Sequence, residues 1–145
     1  MAVRTARTEW VGGLMDGAGV TDFVSSGIGT FEVSFPRRTA DGAEGVTSPE
    51  ELIAAAHSSC YSMALSGGIA AAGGTPVSLQ TTADVTLGPD PAGGLKITNI
   101  KITVRGKVEG MDEAAFIAAA EGAKAGCPIS KALAATNITL DAALA

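Results

Sequence analysis

Apolar and polar residues change period several times along this chain, and the changes mark out its elements. The longest apolar block runs from Ser48 to Gly74, SPEELIAAAHSSCYSMALSGGIAAAGG, with no charge after Glu51. Its first residues are those of a helix start: Ser48 as cap, Pro49 at the first position, and Glu51 at capping-box spacing. Gly73 and Gly74 supply the stop. A segment so free of charge predicts a central helix buried over most of its circumference. Ahead of it, VRTARTEW is β-prone and GGLMDGAG is a turn, which predicts an opening β-ribbon. Phe31, Val33 and Phe35 then alternate with Glu32 and Ser34, the period of a strand with one buried face, which Pro36 ends. Arg37, Arg38 and the polar loop TADGAEGVT lead into the helix.

After the helix come two β-prone runs separated by GPDPAGG, a hairpin signal. The second run changes phase. Leu95 and Ile97 lie on one parity and Ile100, Ile102 and Val104 on the other, so a bulge near Thr98 and Asn99 is expected. MDEAAFIAAAEGAKAG predicts a second long helix, with Asp112 as cap or first-turn acid and Gly126 as the stop. PISKALAAT predicts a short third helix with Pro128 at its first position and Cys127 at its cap, and NITLDAALA returns to strand character. Strands and helices are grouped rather than alternating, which favours an α+β fold over a doubly wound sheet.

At 145 residues the chain is expected to be a single domain, residues 1–145, with 46% apolar residues to fill a core. A net charge of −5 with no basic cluster argues against a nucleic-acid partner. No apolar run near Met1 resembles a signal peptide, and the uncharged stretch from Leu52 is too rich in Gly, Ser and Ala for a membrane span, so a cytoplasmic location is expected. Two cysteines in such a compartment are expected to rest reduced. A pair that joins there is catalytic or redox-sensing rather than structural.

Cys60 and Cys127 are therefore the candidates for chemistry, although cysteine in an apolar helix often only packs. Cys60 has Ser58, Ser59, Tyr61 and Ser62 around it rather than branched aliphatic residues. Cys127 stands at a helix start, where unpaired N–H groups favour a thiolate, and on this local argument it is the more acidic thiol. Cys60 lies well inside its helix and needs a cation or a hydrogen-bond donor to ionise. Arg37 or Arg38 could be that cation. Neighbours on an extended segment face opposite sides, and continuing the alternation of Phe31, Val33 and Phe35 selects Arg37 unless Pro36 breaks the phase. Glu50 and Glu51 suit a helix start in any case, and either could hold such a guanidinium. His57, three residues before Cys60, could form a nucleophile–base couple with it, but a boundary packing role is the plainer reading. One histidine and two widely separated cysteines lack zinc-site spacing, and no phosphate loop or Ser-His-Asp order is present.

TSPEELIAAAHSSCYSMALS and KAGCPISKAL, together with TTADVTL and NITLDAAL, resemble the OsmC family, which includes the organic hydroperoxide resistance proteins. The resemblance runs from EWVGG to the C-terminus and is stronger to the OsmC branch. It implies an OsmC-like fold in which β-sheets wrap two central helices in an intertwined homodimer with active sites at the subunit interface. It implies a thiol-dependent hydroperoxide reductase acting on organic hydroperoxides and hydrogen peroxide, regenerated by an external dithiol reductant, with no metal, flavin or haem. By the same resemblance Cys60 is the peroxidatic thiolate, Cys127 the resolving thiol, Arg38 the best fit to the family's arginine with Arg37 beside it, and Glu50 the carboxylate that orients it. The competing reading is a non-catalytic, dimeric stress-associated binding protein whose cysteines merely pack; a hydrolase or acyltransferase using Cys60 with His57 is a third.

Overall fold

A computed structural model describes residues 1–145, which divide into two compact units, Met1–Leu52 and Ile53–Ala145. In the first, β1 (Arg7–Val11), β2 (Ala18–Asp22) and β3 (Thr30–Val33) form an antiparallel sheet in that order. The expected opening ribbon is β1 and β2. The strand expected through Phe35 ends at Val33, because Ser34 begins a helical turn, α1 (Phe35–Arg38), and accepts the Arg37 N–H on its hydroxyl at 3.4 Å. Pro36 sits in the first turn of α1, where a missing N–H costs nothing. The buried face expected for this strand is also corrected. Phe31 remains 42% exposed, its ring edge-on to Phe23 at 5.5 Å, and all five positions of β1 are exposed.

Helix α2 (Pro49–Ala71) begins and ends where its sequence signals stand. The Ser48 hydroxyl accepts the Glu51 N–H at 3.2 Å, while the Glu51 carboxylate takes the Thr47 hydroxyl at 2.6 Å rather than closing a capping box. At the other end Gly73 adopts φ 87°, a left-handed conformation that a side chain disfavours. There the Gly73 and Gly74 N–H groups donate to Ala70 and Ile69, the paired closure of a Schellman motif. The expectation of burial around most of this helix does not hold. His57, Tyr61, Leu65 and Ile69 form one fully buried stripe at a spacing of four, and Ala56, Ser59, Met63, Gly67 and Ala70 are exposed.

In the second unit β4 (Thr75–Pro89) and β5 (Leu95–Glu109) form the expected hairpin, and β6 (Asn137–Leu144) runs parallel to β5 on its far side. The register slips between Thr86 and Leu87: Thr86 faces Asn99 and Leu87 faces Ile97, leaving Thr98 as the extra residue of the expected bulge. Between β5 and β6 lie α3 (Glu113–Gly126) and α4 (Pro128–Ala132). Asp112 caps α3 by accepting the Ala115 N–H at 2.8 Å. Gly126 remains inside the helix, and the break falls at Cys127, whose extended ψ of 124° is what a residue before proline adopts. Tyr61, Leu65 and Ile69 of α2, Ile100, Ile102 and Val104 of β5, and Phe116, Ala120 and Ala123 of α3 make one core, and Cys127 belongs to it. The grouping of strands and helices is the α+β arrangement expected. No helix is long and apolar enough to cross a membrane.

Candidate active site

Four residues singled out in the sequence form two pairs, one in each unit. In the first unit, the helical turn of α1 turns Arg38 toward the start of α2. Its Nε lies 3.1 Å from both carboxylate oxygens of Glu50 and its Nη2 2.6 Å from Oε1, a two-point fork. Glu50 is buried and Arg38 partly so, and the hydrogen bonds to Glu50 raise the guanidinium above its already high pKa. Arg37, which simple alternation selected, pairs instead with Glu44 on the exposed loop. Alternation fails here because the chain has left the extended conformation at Ser34. Glu51 is occupied by Thr47, so Glu50 is the carboxylate that holds an arginine. Arg38 also borders an apolar recess of about 390 Å³ formed with Trp10, Leu14, Val33, Phe35 and Leu52.

In the second unit, the break between α3 and α4 puts the Cys127 sulfur 3.2 Å from that of Cys60, within reach of a sulfur hydrogen bond, and both thiols are free. Cys127 is fully buried and Cys60 partly so. The two do not ionise alike. Burial pushes the Cys60 thiol up; the backbone at Ile129 pulls it down and the neighbouring Cys127 pushes it up again, leaving it above its ordinary value. Burial also pushes Cys127 up, but the Ser130 backbone, the Cys60 thiol, the Ser130 hydroxyl and the Ile129 backbone together draw it below. The direction is the one read from the sequence for a cysteine at a helix start.

His57 does not serve Cys60. It is fully buried, its Nε2 lies 2.7 Å from the Ser130 hydroxyl, and burial pulls its pKa down. Ser130, itself buried, was not singled out in the sequence. The available signal was its place three residues after Cys127, on the same face of a helix start. Tyr61 is occupied too, donating its hydroxyl to the Ala120 carbonyl at 3.1 Å. No three of His, Cys, Asp and Glu gather as a metal-binding cluster. Chemically, then, the second unit offers two reduced sulfurs one short displacement from bonding, and the first offers a fixed guanidinium beside an apolar recess.

Comparison with known proteins points the same way. The Escherichia coli protein Peroxiredoxin OsmC is 41% identical over 138 residues, covering 95% of this chain and 94% of that protein. Among solved structures, an organic hydroperoxide resistance protein from Elizabethkingia anophelis shares the fold with a TM-score of 0.79, at 23% identity over 100% of this chain and 98% of that one. The organic hydroperoxide resistance protein OhrB of Bacillus subtilis does so with a TM-score of 0.70, at 27% identity over 97% of this chain and 98% of that one. Residues 41–142 match the OsmC-like protein family, and with that match and those relatives the chain belongs to this family.

Proposed function

We propose that this chain is a cysteine-based hydroperoxide reductase, with residues 1–145 working as one domain, Cys60 as the peroxidatic and Cys127 as the resolving sulfur. The observation that carries the reading is the 3.2 Å approach of two free thiols that belong to different elements and do not form a resting disulfide. The family relative named a peroxiredoxin supports it. The Cys60 thiolate attacks one peroxide oxygen, the O–O bond breaks, water or an alcohol leaves, and a sulfenic acid remains. Cys127 displaces the hydroxyl to form a disulfide, which an external dithiol reduces by exchange. An organic hydroperoxide suits the apolar recess beside Arg38 as well as hydrogen peroxide does.

Of the two sulfurs Cys127 ionises the more readily, since its thiol is drawn below its ordinary value and that of Cys60 is pushed above. A guanidinium brought to Cys60 reverses the order, and Arg38, fixed by Glu50, is the group we assign to that task. Its donors also stabilise charge developing on the departing oxygen. The active unit is a homodimer, which the uncharged exposed side of α2 and the uncovered strands β1 and β3 favour.

Peroxide consumption with a dithiol donor tests the assignment. Cys60→Ser is inactive. Cys127→Ser completes no more than one turnover when small thiols are withheld. Arg38→Ala loses far more activity than Arg37→Ala. Peroxide alone makes the wild-type chain lighter by about 2 Da, the mass of two hydrogens lost to an intramolecular disulfide. Two unchanged thiols after that treatment would favour a non-catalytic binding protein, and full activity in Cys60→Ser would overturn the roles given to the sulfurs.

A further inference from the structure

One face of the first sheet carries hydroxyls that have no part in the reaction as written above. Thr8 of β1 and Thr21 of β2 are cross-strand partners with their hydroxyl oxygens 2.8 Å apart, and Trp10 and Gly19 are the next pair along the same face. A Cβ on Gly19 would stand 2.8 Å from Cε3 of the indole and 3.2 Å from a Val33 methyl, so the glycine is what lets Trp10 lie over β2. The indole is pinned there, since its Nε1 donates to the Gly12 carbonyl at 3.0 Å. Thr8, Thr21 and Trp10 line the recess of about 390 Å³ that Arg38 borders, and every residue around it belongs to Met1–Leu52.

Donors in this recess are left with nothing to bond. The two threonines hold two hydroxyl protons between them, and the bond that joins them uses one. Whichever oxygen accepts, its own proton stays free, and neither hydroxyl makes a second hydrogen bond in the chain although Thr21 is only 7% exposed. At Arg38, Glu50 takes Nε and Nη2, and Nη1 has no bond. The charge of the guanidinium is already matched by that carboxylate. An occupant is therefore asked for acceptors at two places rather than for a negative charge. A carboxylate set among Leu14, Phe35 and Leu52 would give up its water for no cation of its own.

We propose that Thr8 and Thr21 are specificity-determining residues: the recess takes neutral organic hydroperoxides that carry a second oxygen acceptor, such as an ester carbonyl, on an apolar body, in preference to plain alkyl hydroperoxides and to hydroperoxy acids. The proposal rests on the peroxidase reading and narrows its substrate class. The hydroperoxide group bonds to Nη1 of Arg38, the apolar chain packs on Trp10, Leu14 and Leu52, and the carbonyl accepts the proton that the threonines leave free. The volume is near the lower end of the range of about 300–1,000 Å³ usual for small-molecule pockets, which suits a medium-length chain rather than a complete lipid.

Trp10 is the sole tryptophan, so its fluorescence reports on the recess directly. In a Cys60→Ser chain, whose altered residue does not line the recess, methyl esters of ω-hydroxy acids from hexanoic to decanoic serve as unreactive probes. At least one of them changes the emission saturably and binds about tenfold tighter than the alkanol of equal length, the worth of one hydrogen bond. Combining Thr8→Val with Thr21→Val, which keeps shape and strand preference, abolishes that advantage; Thr21→Ser, which keeps the hydroxyl, retains it. With both cysteines present, the best ω-hydroperoxy methyl ester exceeds the matched alkyl hydroperoxide and the matched free acid about tenfold in kcat/KM, and the ester-to-alkyl ratio falls to about one in the double valine variant. No saturable change with any ester, equal kcat/KM for ester and alkyl hydroperoxides throughout the series, or an ester preference that survives the double valine variant overturns the proposal. Ester-selective binding in a wild-type chain that consumes no peroxide overturns the peroxidase reading instead.

Discussion

Arg37 and Arg38 carry the same charge one residue apart, and their partners separate them. The exposed Arg37–Glu44 pair is worth about 0–1 kcal/mol. Arg38 grips a buried carboxylate through two nitrogens, and a lysine can reproduce the charge but not the fork. Arg38→Lys is therefore expected to lower kcat/KM for peroxide about tenfold or more, with Arg37→Ala within about twofold of wild type, as steady-state kinetics would register. This choice was not legible from residue alternation, because the serine before Pro36 turns the chain from strand to helix. The relative acidity of Cys127 was legible, since a helix start is local. His57 makes a separate prediction. Its folded pKa lies below the 6.5 of the free side chain, so between the two values the unfolded chain binds more protons than the folded one. Stability therefore rises with pH through that window and falls on acidification below about 6.5, by at most about 1.4 kcal/mol per pH unit. Urea denaturation near neutrality and at about pH 5 should show the fall in wild type and a flatter profile in His57→Gln.

The ends of the two long helices were legible in their side-chain chemistry, whereas the Ser34 cap of α1 was hidden by the strand alternation that runs into it. Ser48 at the start of α2, Gly73 at its end and Asp112 before α3 act as their residue types require. The bulge at Thr98 was legible from a change of parity alone. Asp112→Ala should cost about 1 kcal/mol in urea denaturation, the usual worth of a side-chain cap. What periodicity could not give is the close approach of β5 to α3. A Cβ on Gly106 would stand 2.6 Å from two ring atoms of the fully buried Phe116, so Gly106→Ala is expected to cost about 1–3 kcal/mol through overpacking, read from the same denaturation curves. In the sequence that glycine looks like a weak strand residue; its reason lies in another element.

Over the whole molecule, the α+β grouping could be read from element order, while which side of α2 would be covered could not. A helix with no charge after Glu51 has only small hydroxyls to mark its exposed side, so burial on most of its circumference and burial along one stripe look alike in sequence. The outer side carries Met63 at 75% exposure. Light scattering of the purified chain should give twice the 14.3 kDa of one copy, and Met63→Glu should shift that mass toward a single copy.

The closeness of the two sulfurs has a kinetic consequence. In a cysteine peroxidase the sulfenic acid faces a race between closing onto its partner and being oxidised again to the irreversible sulfinic acid by a second peroxide. With the roles proposed for Cys60 and Cys127, closure requires a displacement on the order of 1 Å, whereas the second oxidation waits on a collision. The chain is thereby suited to bursts of oxidant that would inactivate a peroxidase with distant cysteines, and removing Cys127 should turn a tolerant protein into one poisoned by its own substrate.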